Sequence, residues 1–391
     1  MKIRHPFYKI VLLCLLLSSV VFFSSCSTRP NISKETLDQS IIAGCHYLNN
    51  SQTDKGNFVY EQNFVSGELR TDDNQVRQAG ALWGLTLAYK HHPDIVQYEK
   101  IKKGLDFYYT NFHTVKDSML MPVYVGERNG STGSLALIIL AHVELLSAAQ
   151  QIPDRELLEQ KLDGLVRFLV SLRKENGQFY SRYSYRTGKG SGSPSPYFDG
   201  EALLAMCRSA KYTGYDYLIP LVMESAENMY MVNVTQALEE DPDSKTTKGF
   251  YQWGSMSFYE IHTAGWASDN QYASRTINLA YWMIDVHKTL KRRKNTAYAY
   301  EGISVSYELA KQIGNIEAEK KFENVMNRGL TKLTSWQVLG PIPNSFLRRN
   351  IPSDSTYYGG IMNSKNDPWL RIDVVQHQLH ATILARSFLF E

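Results

Sequence analysis

Two helical textures alternate along this chain. One is amphipathic and charged, as in the run from Glu156 to Leu169, where apolar residues recur at helical spacing. The other is small and apolar almost all round, with polar residues only at its start. Examples are Asp73-Asn74-Gln75-Val76-Arg77, Ser131-Thr132-Gly133-Ser134, Phe198-Asp199-Gly200-Glu201, Asp269-Asn270-Gln271-Tyr272, Tyr300-Glu301-Gly302 and Asp373-Val374-Val375-Gln376-His377. A helix apolar on every side must be buried, and amphipathic helices then cover it from outside. The pattern predicts helices over 35–49, 74–91, 94–111, 131–149, 154–173, from 198 onward, and over 217–238, 269–290, 297–313, 317–335 and 371–388.

Between helices lie short aromatic turns. Gly56-Asn57-Phe58 follows a helix containing His46-Tyr47-Leu48, and Gly177-Gln178-Phe179 follows one containing Arg167-Phe168-Leu169, which indicates an internal repeat. Gly249-Phe250-Tyr251-Gln252-Trp253 reads as a comparable turn after a polar loop. Apolar β-branched runs between the helices are missing, which disfavours a parallel α/β sheet. No Pro/Gly-rich linker divides the chain. The expected fold is all-α: a single (α/α)6-type toroid over 35–391, with alternating inner and outer helices and short β-hairpins between some of them. Eleven helices are legible rather than twelve, and two inner-type helices fall consecutively between 269 and 313. A superhelical solenoid is the alternative architecture.

The amino terminus changes the picture of where such a domain would work. Lys2, Arg4 and Lys9 precede an apolar run over 10–23, too short for a membrane span, which ends Phe23-Ser24-Ser25-Cys26. Small residues before a Cys after such a run resemble the lipobox of bacterial lipoproteins. That resemblance implies a signal peptide over 1–25, lipidation of Cys26 and a tether over 26–34. Ser27 rather than Asp follows the lipid site, which in enteric-type bacteria implies the outer membrane. The expected location is therefore the cell envelope, lipid-anchored. Of the four Cys, only Cys45 and Cys207 remain for the folded body, and both are expected to be buried free thiols.

Composition excludes more than it selects. A net charge of +3 and the absence of a Lys/Arg block argue against nucleic acid. Aromatic residues are 12% of the chain, including 25 Tyr, and flat apolar faces with polar tips suit sugar clefts. Phosphate loops, dinucleotide fingerprints, nucleophile elbows and His-Glu-x-x-His are missing. No cofactor or metal is expected.

In a toroid the inner helices run parallel, so their polar starts ring one mouth. Glycoside hydrolysis needs two carboxyl groups, one protonated and one ionised. The candidate catalytic carboxylates are Glu201, Asp73, Asp269, Glu301 and Asp373, with Glu201 as general acid or base and one of the others as its partner. Arg77, Tyr197, Asp199, Trp253, Asn270 and His377 are candidates for substrate binding. An acidic residue at a helix start is also a natural cap, which is the competing role for Asp73, Asp199 and Asp269. Asp373, His377 and His380 share one helix face.

Val76-Arg77-Gln78-Ala79-Gly80-Ala81-Leu82-Trp83 and Tyr197-Phe198-Asp199-Gly200-Glu201-Ala202-Leu203-Leu204 resemble inner-helix starts of the α/α-toroid carbohydrate-active superfamily. This group includes N-acylglucosamine epimerase-like proteins, the C-terminal part of glucuronyl C5-epimerases, six-hairpin glycosidases and polysaccharide lyases. The resemblance implies a partner that is a polysaccharide or oligosaccharide, and the candidate carboxylate pair makes a glycoside hydrolase the leading reading. A uronic-acid lyase or epimerase, or a non-catalytic glycan- or protein-binding lipoprotein, are the alternatives.

Overall fold

A computed structural model describes residues 32–391 apart from 94–97 and 149–150. The signal peptide, Cys26 and most of the tether lie outside the described residues. Among the described residues twelve long helices alternate between two shells, and a short one, Ser345–Arg349, precedes the last of them. The outer ones are α1 (Lys34–Ser51), α3 (Tyr98–Tyr109), α5 (Arg155–Ser171), α7 (Ile219–Tyr230), α9 (Gln271–Tyr281) and α11 (Ile316–Thr334). The inner ones are α2 (Gln75–His91), α4 (Thr132–Leu146), α6 (Pro196–Thr213), α8 (Lys245–Thr263), α10 (Ala297–Gln312) and α12 (Ile372–Phe390). A π turn at Met231–Gln236 prolongs α7 to Glu240, and another at Trp282–Val286 prolongs α9.

Each inner helix packs on the next, and α12 closes onto α2, so the ring is complete. This is the (α/α)6 toroid rather than a solenoid. Every residue of α4 is buried, whereas α5 and α11 bury only their apolar stripes, as shell position demands. The hydrophobic core is the wall between the two shells. Cys45 and Cys207 are free and buried in it.

The twelfth helix is α8, where the sequence suggested a turn. Its glycines are there for close approach rather than for bending. A Cβ on Gly249 would meet Tyr197 at 2.9 Å, and one on Gly200 would meet Trp253 Cβ at 2.5 Å. The two Gly positions thus bring α6 and α8 into contact. With α8 in the inner ring, α9 becomes an outer helix, and the run of two inner helices disappears.

The repeat is real at the level of hydrogen bonds. Asn57 and Gln178 carbonyls accept from the amides of Thr53 (2.7 Å) and Lys174 (2.8 Å), and Gln52–Phe58 and Arg173–Phe179 form matching bridges. Each turn is pinned by the next inner helix: Gln78 exchanges bonds with the Phe58 amide and carbonyl (2.7 and 2.8 Å), and Asp199 accepts from the Phe179 amide at 2.9 Å.

Three small sheets join loops at the ring's mouth. Antiparallel β1 (Glu61–Asn63) and β7 (Trp369–Arg371) pair Glu61 with Arg371 and join the loop before α2 to the loop before α12. The hairpin β2 (Phe112–Thr114) and β3 (Leu120–Pro122) lies over α5. The sheet of β4 (Asn129–Ser131), β5 (Arg182–Ser184) and β6 (Gly190–Ser191) joins the loops leading into α4 and α6.

Candidate active site

The N-terminal ends of the six inner helices open on one cavity; five of them are predicted polar starts, and the sixth is that of α8 in place of the Asp269 start. One lobe, of about 280 Å³, is walled by Arg77, Glu201, Trp253, Asp373 and His377, with Leu137 and Phe198 beside them. A second lobe, of about 350 Å³, shares those five residues and extends along Lys248 and Tyr298.

Glu201 stands in the second turn of α6 and is almost wholly buried. Its Oε2 has no hydrogen-bond partner. It fits because the facing residue of α4 is Gly133, whose Cβ would sit 2.2 Å from Oε2. No cation compensates it, so burial alone pushes its pKa well above the ordinary carboxylate value. Glu201 faces the cavity in a setting that favours its protonated form.

Asp373 has the opposite environment. Arg371 grips it with two bonds, Nε to Oδ1 at 2.5 Å and Nη2 to Oδ2 at 3.0 Å. The Arg77 Nε lies 3.2 Å from Oδ2. Burial by itself would raise the Asp373 pKa, but the two guanidinium groups overcome it and hold the carboxylate below its usual range. Arg77 is oriented in turn by Tyr60, to whose hydroxyl it bonds.

Below them sits an imidazole–carboxylate pair. His377 Nδ1 lies 3.1 Å from Glu301 Oε1. Burial opposes the charge on His377, but the Glu301 carboxylate outweighs it and raises the imidazole pKa. Glu301 is held low by the same pair despite being fully buried. His380, one turn further along α12, places Nδ1 3.3 Å from Glu301 Oε1 and packs edge-on against Trp83. Trp253 stands between Trp83 and His377, with ring centroids at 5.7 and 6.1 Å.

The remaining candidates are placed elsewhere. Asp73 is exposed and serves as a wiring point: Tyr124 donates to Oδ2 and Gln78 to Oδ1 (2.8 Å). The helix cap beside it is Asn74, which accepts from the amides of Val76 and Arg77. Asp199 turns away from the cavity and accepts from Gln178, Phe179 and Asn233. Asp269 and Asn270 start outer helix α9, beyond the far end of α8, so they lie at the opposite end of the ring and belong to no shared site. Glu260 is at that far end with Arg208 and Lys211. Sequence reasoning missed Arg371, Lys248 and Gly133. The signal for Arg371 was its position two residues before Asp373. Lys248 was hidden with the rest of α8. Among the described residues, no group of three or more His, Cys, Asp or Glu could hold a metal ion.

No family model matches the chain, and no curated protein matches it. Solved structures do. A D-mannose isomerase superposes with a TM-score of 0.64 at 13% identity, over 91% of this chain and 98% of that one. An inactive variant of the α-1,6-mannanase of Salegentibacter sp. HEL1_6, in complex with α-1,6-mannotetrose, gives 0.62 at 10%, over 90% and 99%. An unsaturated glucuronyl hydrolase specific for heparin gives 0.60 at 12%, over 90% and 98%. These likenesses show the fold, the (α/α)6 toroid.

Proposed function

We propose that the protein is a glycoside hydrolase of the cell envelope, anchored through a lipid on Cys26. The carrying observation is one cavity walled by two carboxyls in opposite settings: Glu201, buried without a partner, which raises its pKa, and Asp373, gripped by two guanidinium groups, which lower its pKa. Glu201 protonates the leaving glycosidic oxygen. Asp373 is the anionic partner that acts on the sugar's other side, either on the ring carbon or through a water. Tyr197 and Trp253 supply aromatic faces, and Arg77 and His377 supply polar contacts. The chain's fold neighbours are named for activity on glycans and sugars, and one is complexed with α-1,6-mannotetrose, so α-1,6-linked manno-oligosaccharides head the substrate panel. Glu201→Gln should lower turnover by roughly a hundredfold or more, the lower range for a lost general acid, with the folded circular-dichroism spectrum kept. Full activity of Glu201→Gln on the hydrolysed substrate sinks the assignment.

The His377–Glu301 pair beside Arg77 and Arg371 favours a second reading, a lyase or epimerase on uronic acids. A base with a raised pKa next to guanidinium groups suits proton abstraction beside a carboxylate. Under that reading His377→Ala abolishes turnover, Glu201→Gln spares it, and the product is an unsaturated or epimerised uronate. Glycan binding without turnover would instead identify a binding lipoprotein.

A further inference from the structure

The catalytic cavity is not a closed bowl. On one side, past Asn74, Val76 and Phe198, its wall is shared with a polar groove of about 560 Å³. That groove runs between the start of α2 and the β4–β5 strands and is lined by Gln75, Arg128, Asn129 and Arg182. Its floor is built in advance. Gln75 donates to the Asn129 carbonyl at 3.1 Å and accepts from the Ser131 amide at 2.9 Å, which staples the strand to the helix. Arg128 and Arg182 are both exposed along it. On the other side, the second lobe leads past Tyr298 to Asn295 and Asn363. That end is also fixed, by the Asn295 amide on the Asn363 carbonyl at 2.7 Å and the Asn295 side chain on Gln378 at 3.2 Å. Aromatic faces stand on both sides of Glu201 and Asp373: Phe198 at one exit, and Tyr197 and Tyr298 with Lys248 5.1 Å over Tyr298 at the other.

We infer that the cavity is the middle of a through-running groove that seats an internal stretch of a polysaccharide, so that the chain is cut away from its ends. This rests on the hydrolytic reading above only for the cutting; the groove itself is a statement about binding. A site acting on chain ends needs a wall that stops the chain, whereas here the lining continues into the polar groove on one side and along Tyr298 on the other. Preformed polar walls with aromatic platforms are what a run of sugar units requires.

Two measurements test it. First, Glu201→Gln protein is titrated with α-1,6-linked manno-oligosaccharides from disaccharide to octasaccharide. Affinity should rise with length, and Arg128→Ala/Arg182→Ala in the same background should weaken the longest ligand roughly tenfold, about one charged hydrogen bond's worth, while sparing the disaccharide. Equal affinity for all lengths, or no effect of the arginine pair, overturns the groove. Second, wild-type digestion of the polymer is followed by product size. Oligosaccharides of intermediate length should appear first. Release of only mono- or disaccharides from the outset overturns internal cutting. Length-dependent binding without any hydrolysis keeps the groove and removes the hydrolase reading.

Discussion

Glu201 is the residue on which most depends, and its burial has two measurable consequences. Its protonated form is the acid, so activity should fall as pH rises through its raised pKa, and Glu201→Gln should remove that limb from whatever rate remains. Stability moves the same way. In the unfolded chain Glu201 ionises near its ordinary value of 4.5, but in the folded protein it stays protonated to higher pH. Folding is therefore progressively penalised above that unfolded value, until pH reaches the folded pKa. Glu201→Gln should melt higher than wild type at about pH 8, with the gap closing toward about pH 4; equal melting at both would show that Glu201 is not desolvated. Asp373 runs the opposite way, since its depressed pKa stabilises the fold above the unfolded value and that stability is lost as pH falls. Asp373→Asn should thus destabilise most at neutral pH.

At the level of elements, the turn-and-helix repeat makes a paired prediction. Gln78 and Asp199 hold equivalent turns by equivalent bonds to Phe58 and Phe179. Gln78→Ala and Asp199→Ala should each cost about 1–3 kcal/mol, because each leaves a buried backbone amide unpaired; urea unfolding measures both. A near-zero cost at either position would mean that the pinning bond does not hold the turn. The α4–α6 contact gives a sharper one. Gly133→Ala would drive a Cβ into Glu201 and Phe198 (2.2 and 2.6 Å), so it should displace the acid and lower turnover more than it lowers the melting temperature.

Across the whole molecule, the end of the ring opposite the cavity is closed by buried charge. Arg208 bonds to Glu144 and to Glu260 (2.9 Å), while Lys90 and Lys211 reach the same carboxylates at 2.8 Å each. Burial alone would raise the Glu144 pKa, but Arg208 and Lys90 bring it down to about 2. Arg208→Ala should cost about 3–5 kcal/mol, since two buried carboxylates lose their shared partner, and calorimetry should show the melting temperature fall accordingly. This plug leaves the mouth at the helix N-termini as the way into the barrel. Among the described residues no helix is long and apolar enough to cross a membrane, and the proposed lipid anchor at Cys26 carries its own prediction. Cys26→Ser should block lipid labelling and release the protein from the membrane fraction.

The alternation of helix textures, the polar inner-helix starts and the Gly-x-Phe turns were written locally in side-chain periodicity, and they determined the toroid, its repeat and the end at which a site would lie. Glu201, Asp373, Arg77 and His377 were legible because they sit in those starts, and Trp253 was legible only as part of an aromatic turn. What local pattern could not show was α8, whose Gly, Ser and aromatic residues read as a turn until the neighbouring helix is there to fill the glycine faces. Nor could it separate a cap from a cavity wall: Asp199 and Glu201 are two residues apart, yet one bonds to the outer turn and the other faces the ring's interior. The protonation states came from the tertiary structure as well. Two carboxyls of like chemistry are pushed in opposite directions because Gly133 leaves Glu201 a buried niche without a partner, while the β1–β7 pairing places Arg371 among the strands at the mouth, where it grips Asp373 alongside Arg77.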